Sequence, residues 1–478
     1  MGAGGMAEVL LEDAGGPHPG PGAPERARAR RARALLRRWW PLPVAGVLAV
    51  VAWQSVTDAR TESAAERLRA TPGVIDATVT APLDAGATAS PELVAALFSG
   101  TRTQQGYLAA LVLGTGTGPD AGPASVLGLD PETGEEVWRV EVADPPPVDL
   151  TSRGGDCRSG RDGPARILWC VITDSRDLAG TASATRLVEV HLGDHAVRSA
   201  RDLAPGAEAT PVGDATLVVG TPAAEAVHLV ATDVSSGEQL WAADVPEPVA
   251  YPGSSTGWLT HAGSHVLVDT GDATWAVDAG TGQVQAGGAG VGVTRGDRLV
   301  DVHGSSRTLL LGVDGSGTAE AAGEVHPAAP DDGSAPGVLV VEVDDGSLQR
   351  LLRGVDASSG AVLWERPADG MSRTNQVLLD GVLYGSSATT VWAVDAETGE
   401  ERWSTEGAML RDFRLMTDGV HLLRVERDPE SGVPVLAAYR LASGRRAWAA
   451  PLPPGVDSVW TQGGILYGQG DDGVVVLR

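Results

Sequence analysis

From about residue 100 onward, short apolar runs alternate with clusters of Gly, Asp and Ser. Ile167-Leu168-Trp169-Cys170-Val171-Ile172, Leu309-Leu310-Leu311 and Val474-Val475-Val476-Leu477 are typical of these runs. Runs of this length, bounded by turn formers, are the pattern of β-strands and hairpins rather than of helices. The first 60 residues do not follow it. Met1 to Glu25 is rich in Gly, Pro and Ala and cannot bury enough apolar surface to fold. Arg26, Arg28, Arg30, Arg31, Arg33, Arg37 and Arg38 follow, and lead into Trp39 to Val56, a stretch without a charged residue.

That uncharged stretch is close to the ~20 residues needed to cross a bilayer. Trp39, Trp40 and Trp53 suit the two interfaces, and the Arg block in front of the span sets a cytoplasmic N-terminus. The expected organisation is a disordered basic tail (1–38), a transmembrane helix (39–56), a helical stalk or linker (57–72) and an extracytoplasmic domain (73–478). A cleaved signal peptide is the competing reading, but no small-x-small site follows Val51. A lipoprotein signal is not expected, since the first cysteine is Cys157. The stalk helix reads from Thr61 to Arg69 and stops at Pro72-Gly73.

Aligning the turns exposes an internal repeat, Asp-x-x-(Thr/Ser)-Gly-x-x-x-Trp. Clear copies begin at Asp130 (Gly134, Trp138), Asp233 (Gly237, Trp241), Asp278 (Gly282, with Ala286 where Trp is expected), Asp356 (Gly360, Trp364) and Asp395 (Gly399, Trp403). A sixth has Arg440 in place of Asp, with Gly444 and Trp448. Gly or Ala stands two residues before the Asp in all six. Each position has a physical reason. The Gly ends a hairpin loop where φ is positive, and the Asp and Ser/Thr side chains accept or donate within the turn. The small residue makes room for packing, and the Trp offers a large apolar surface to a neighbouring sheet. A lone hairpin is not stable, so the copies must stack or close on one another.

This unit resembles the quinoprotein-type β-propeller repeat, named for proteins that bind pyrroloquinoline quinone. The resemblance covers roughly residues 108–478 and implies an all-β fold of four-stranded blades closed into a ring, with the Trp docking one blade on the next. The WD40 repeat fits poorly, because no Trp-Asp dipeptide ends a unit. The turn glycines are 103, 45, 78, 39 and 45 residues apart. The two wide gaps leave room for worn copies near Leu309 to Gly315 and near Leu187 to Asp194. The tail, Gly464 to Leu477, repeats a strand pair and needs a partner, for which residues 73–80 are a candidate. Eight blades are expected, with seven as the fallback.

The formal charge is −26; residues 1–60 contribute +3, which leaves −29 on the remainder. A domain so acidic repels phosphate backbones and anionic headgroups, so no nucleic-acid partner is expected. Cys157 and Cys170, the only cysteines, are expected to form a disulfide between a loop and the strand 167–172 outside the cytoplasm. His191 with His195 and His261 with His265 have i,i+4 spacing. Both pairs sit in strand and turn text, without the neighbouring Glu of a zinc helix. Asp331-Asp332-Gly333, Asp344-Asp345-Gly346 and Asp471-Asp472-Gly473 read as turns ahead of calcium ligands.

The resemblance raises a quinone cofactor, which quinoprotein alcohol dehydrogenases hold on the axis with Ca²⁺ bound by Glu, Asn and Asp, under a disulfide of adjacent cysteines. This chain has no adjacent cysteines, and its only Asn is Asn375. No catalytic, cofactor-binding or metal-binding residue is therefore assigned, and no cofactor. The expected function is a non-catalytic, membrane-tethered propeller that binds a protein or envelope component as scaffold or sensor. The alternative is a dehydrogenase-like quinoprotein enzyme.

Overall fold

The computed structural model describes residues 62–478, except 91–92, 95, 98–99, 115–121, 148, 161–164, 177–179, 250–256, 295–296, 304–306, 313–316, 344–349, 369–375 and 472. The tail 1–38, the span 39–56, Asn375, Asp344-Asp345-Gly346 and Asp472 lie outside the described residues. Among those that are described, no helix is long and apolar enough to cross a membrane.

Residues Ala64–Arg478 form one unit, built among the described residues from nine antiparallel four-stranded sheets. Eight are simple meanders whose strands a to d follow in chain order. Blade 1 runs from Thr101 to Ala143, blade 2 from Ser152 to Leu203, blade 3 from Glu208 to Val245 and blade 4 from Leu259 to Gly288. Blade 5 runs from Val291 to Ala322, blade 6 from Glu324 to Ala368, blade 7 from Val377 to Glu406 and blade 8 from Leu410 to Pro451. Blade 9 takes strands a to c from Val456 to Leu477, and its outer strand is Ala85–Thr88, which pairs with Gly473–Leu477.

Burial follows position in the blade. The middle strands Ala124–Leu129 and Val338–Val343 are buried at every residue. The outer strand Glu136–Ala143 buries only Trp138 and Val142, because blades splay apart toward the rim. Apolar clusters join each blade to the next. Trp138 of blade 1 packs with Cys170 and Val188 of blade 2. Trp364 of blade 6 packs with Leu383 and Val394 of blade 7. Tyr467 and Val476 of blade 9 meet Leu108 and Leu127 of blade 1, so the ring closes.

The β-propeller of four-stranded blades is as the sequence implies, but the described residues form nine blades rather than eight or seven. Both worn copies are blades: Leu187 lies in blade 2 and Leu309 in blade 5. The tail is a ninth, separate from the six clear copies and the two worn ones. Its partner is not residues 73–80. Residues 75–79 instead cross the inner ends of blades 8 and 9, where Ile75 N–H donates to Thr417 O and Asp76 N–H to Gly464 O, both at 2.8 Å. Only then does the chain reach the rim and form Ala85–Thr88. Building one blade from both ends of the sequence covers the outer edge of Gly473–Leu477 and ties the ring shut.

The helix ahead of it spans residues 62–69. It docks rather than standing free: Ala65 is buried, Leu68 packs against the cluster of blades 7 and 8, and Arg69 Nε donates to Asp418 O at 3.2 Å.

Candidate functional site

The recurrent turn is one construction repeated. Asp130 Oδ1 accepts from the N–H groups of Glu132 and Thr133 at 2.8 and 3.0 Å, and Gly134 N–H donates to Asp130 O at 2.8 Å with φ +73°. Asp233, Asp278, Asp356 and Asp395 do the same. Ser/Thr hydroxyls add a further donor, which holds the Asp233 carboxyl down at about 2. One such turn escaped the sequence reading: Asp428-Pro-Glu-Ser-Gly432, between strands b and c of blade 8, where Asp428 Oδ1 accepts from Glu430 and Ser431. Its missing Trp hid it. In the Arg440 copy the backbone bond from Gly444 N–H to Arg440 O, 2.8 Å, survives without the carboxylate.

The Trp side chains show what the small residue is for. Trp138 faces Gly128, Trp241 faces Ala231, Trp364 faces Gly354 and Trp403 faces Ala393 across the c–d strand pair. A Cβ on Gly128 or Gly354 would come within 2.0 or 2.2 Å of the indole. The room is therefore made for the Trp on the adjacent d strand of the same blade. The indole N–H then crosses to the next blade: Trp241 donates to Ala279 O, Trp364 to Ala396 O and Trp403 to Leu441 O, at 3.0, 2.9 and 2.8 Å. Where Ala286 replaces the Trp, Trp275 lies against Gly287 and donates to Glu247 Oε2 at 2.9 Å.

Strands alternate in direction, so the a–b and c–d turns of every blade lie on one face of the ring. The N-terminal segment crosses that face at blades 8 and 9. Its anchor is Asp418, fully buried, whose carboxylate accepts from Val79 N–H at 3.0 Å, His421 N–H at 2.6 Å and His421 Nδ1 at 3.0 Å. Residues 329–332, from the a–b connection of blade 6, add a further strand inside blade 7: Leu378 N–H donates to Pro330 O at 2.9 Å. Among the described residues, three cavities open here. One of about 470 Å³ lies between Pro72, Pro330, Met416 and Trp460. Another of about 610 Å³ lies under Ile75 to Thr80, beside Arg102 and Arg478. A third of about 380 Å³ lies between blades 1 and 2.

The family described as outer membrane protein assembly factor BamB matches residues 122–405 and again 285–478, together well over half of the chain. The chain belongs to that family. No curated protein sequence matches it. Among solved structures, BamB from Moraxella catarrhalis is 18% identical over 63% of this chain and 92% of its own, with a TM-score of 0.34. Quinohemoprotein alcohol dehydrogenase from Comamonas testosteroni is 13% identical over 83% of this chain and 76% of its own, with a TM-score of 0.33. A europium-containing methanol dehydrogenase is 11% identical over 70% and 81%, with a TM-score of 0.31. At these values the likenesses carry no argument about chemistry.

Within this BamB-family propeller, the buried ionic groups are spent on blade contacts. Arg424 and Glu426 of blade 8 are both fully buried. Arg424 Nε donates to Glu426 Oε1 at 2.6 Å, and its Nη atoms donate to Ser387 O and Thr390 O of blade 7 and to Ala408 O. Tyr439 Oη donates to Glu426 Oε1 at 2.5 Å. Glu208 joins blades 2, 3 and 4, accepting from Gly257 and Leu259 N–H and facing Arg158 at 3.4 Å. Burial pushes its carboxyl up, against the pull of Arg158 and those amides. Neither group stands out in the sequence, because each sits at an ordinary alternating position of a strand.

Neither histidine pair lies on a single strand. His191 ends a strand, where it meets Glu189 at 2.8 Å, while His195 sits in the following turn. His261 and His265 lie on either side of an a–b hairpin, on successive strands. Asp331 and Asp332 accept from Gly333 and Ser334 N–H, which makes them turn residues. Cys157 and Cys170 stand directly opposite each other on strands a and b of blade 2 and form a disulfide, so Cys157 is on a strand and not in a loop.

A calcium-bound quinone on the axis would need carboxylate and amide oxygens around it. The cavity along the inner strands of blades 8 and 9 is lined by Pro, Leu, Met, Trp, Thr, Gln and one Arg, with no carboxylate. Among the described residues no three His, Cys, Asp or Glu side chains converge to hold a metal. Among the described residues, those that line this cavity do not fit that group.

Proposed function

We propose that this propeller is a non-catalytic binding module of the cell envelope, tethered by residues 39–56 with its blades on the outer side, which holds a protein or envelope component as a scaffold. One observation carries the reading: Asp, Ser/Thr, Gly, small residue and Trp of every clear copy are accounted for by turn geometry or blade docking. None is left over for chemistry. Membership of a family described as an outer membrane protein assembly factor supports a role in protein interaction, and the hydropathy and Arg block of the N-terminus support the tether.

Cross-linking in intact cells, followed by purification of the full chain from detergent-solubilised membranes, tests both parts. A specific co-purifying polypeptide and recovery in the carbonate-resistant membrane fraction are expected. Recovery in the soluble fraction would overturn the tether. Absence of any partner across several growth conditions, or quinone absorbance with dye-linked alcohol oxidation after loading with the quinone and Ca²⁺, would overturn the scaffold.

A further inference from the structure

Blade 2 departs from the repeat in several ways at one place. Its c–d hairpin, Leu192-Gly193-Asp194-His195, lacks the Asp-x-x-(Thr/Ser)-Gly turn. Trp138 of blade 1 therefore docks differently: its buried Nε1 has no hydrogen-bond partner among the described residues. Its ring stacks instead on His195, with centroids 4.6 Å apart and planes 15° apart. His195 has φ +52°, the left-handed conformation of its place in the turn. The disulfide Cys157–Cys170 ties strands a and b at the root of the a–b connection. The same c–d hairpin borders a cavity of about 380 Å³ between blades 1 and 2, which Leu192, Gly193 and Asp194 help to line.

Gln104, Gln105, Arg166, His191, Asp194 and Arg198 bring the side-chain chemistry to that cavity. Asp194 is engaged by Arg198, and His191 by Glu189. The guanidinium of Arg166 and the amides of Gln104 and Gln105 have no partner among the described residues. A domain carrying −29 thus turns two guanidiniums, one of them unpaired, and two free amides toward one hollow, against one carboxylate that is already paired. The larger cavity under Ile75 to Thr80 differs: its Arg102 is paired with Asp76 and its Arg478 with Glu132.

We propose that this cavity takes a carboxylate group of a partner polypeptide. Arg166 grips it in bidentate fashion, and Gln104 and Gln105 donate to its remaining lone pairs. The guanidinium fork matches a carboxylate, and amide side chains supply donors without adding charge. Repulsion by the acidic domain does not prevent this. It is screened beyond about 8 Å at physiological ionic strength, whereas the Arg166 contact acts at hydrogen-bond range. The inference rests on the protein-binding reading above and names its face and its chemistry.

The test titrates the full chain in detergent with an N-acetylated hexapeptide that ends in two Glu and a free C-terminus. A control peptide carries Gln for Glu and a C-terminal amide, and succinate represents a free small acid. Saturable binding of the acidic peptide is expected, weakened about tenfold in the control and in Arg166→Gln, consistent with loss of a charge-assisted contact. Equal affinity for the neutral peptide, or for Arg166→Gln, would overturn the site. Succinate binding as tightly as the peptide would overturn the polypeptide ligand. Co-purification separates this inference from its premise. A partner retained by Arg166→Gln as well as by the native chain sinks the cavity and leaves the scaffold standing. If no partner is recovered from either chain, the scaffold falls and the titration alone decides the cavity.

Discussion

The indole N–H of Trp364, on the outer strand of blade 6, donates to Ala396 O in blade 7 at 2.9 Å, immediately after the turn aspartate Asp395. The same Trp is almost fully buried among Leu352, Leu378, Leu383 and Val394. Trp364→Ala is expected to cost about 3–5 kcal/mol from lost burial and the cavity left behind. Trp364→Phe keeps most of the apolar surface and should cost less, with about 1 kcal/mol of it from the lost hydrogen bond. Urea unfolding followed by circular dichroism separates the two. Equal losses would mean that the indole N–H contributes nothing.

Gly399 tests the same joint from the other side. It sits at φ +71°, and a Cβ there would lie 2.4 Å from Cγ of Trp364. Gly399→Ala should therefore destabilise by about 1–3 kcal/mol through strain and overpacking together. Gly432→Ala has a similar φ of +71° and open space around it, so it should show the smaller, conformational part alone. If both variants melt alike, the close approach to Trp364 is without consequence.

What the sequence made legible follows from which interactions are local. The turns at Asp130, Asp233, Asp356 and Asp395 could be read because the turn bonds to each Asp Oδ1 and carbonyl join residues only two to four apart. Blade 2 and blade 5 could be placed only by the gaps they leave, since neither carries the turn. The outer strand Ala85–Thr88 could not be located, because its partner is Gly473–Leu477 at the far end of the chain. The candidate cavity was hidden for the same reason: Gln104 and Arg166 are brought together only by the packing of blade 1 on blade 2.

Arg424 and Glu426 bring a different expectation. Glu426→Ala leaves a fully buried guanidinium without its carboxylate and Tyr439 without its acceptor, which should cost about 3–5 kcal/mol. Replacing both, as Arg424→Met with Glu426→Leu, removes the two charges together. The double variant should be clearly more stable than Glu426→Ala. A double variant no better than the single one would show that the carbonyl contacts of Arg424, to Ser387, Thr390 and Ala408, are what matters.

The disulfide closes a short loop, Cys170 lying 13 positions after Cys157. Chain-entropy arguments give about 3 kcal/mol for a loop of that size. Reduction should lower the urea midpoint accordingly, with loss of affinity for the acidic peptide, because the a–b connection of blade 2 is rooted at Cys157. Peptide mapping under non-reducing conditions checks the pairing itself. Two free thiols in protein isolated from the cell envelope would remove both expectations.

The turn aspartates give stability a pH dependence whose sign can be worked out. Hydrogen bonds from Ser235 and Ser236 hold Asp233 at about 2, and those from Ser358 and Ser359 lower Asp356 further. Asp395, beside Arg402, and Asp428, bonded by Ser431, are lowered as well. A carboxyl lowered on folding binds fewer protons in the native state, so its contribution is complete above the ordinary Asp range near 4 and is lost as pH falls through the folded value. Glu208, raised by burial, works the other way, favouring the native state at lower pH and offsetting part of the loss. The net expectation is a urea midpoint that declines between about pH 4 and pH 2, since five lowered aspartates, Asp278 included, and the lowered Glu136 stand against one raised glutamate. Asp233→Asn can keep an oxygen acceptor for the turn amides but has no proton to bind, so it should flatten this decline while changing the midpoint little at low pH. A midpoint that stays level from pH 4 to pH 2 in the native chain would show that the turn carboxylates titrate as they do in the unfolded protein.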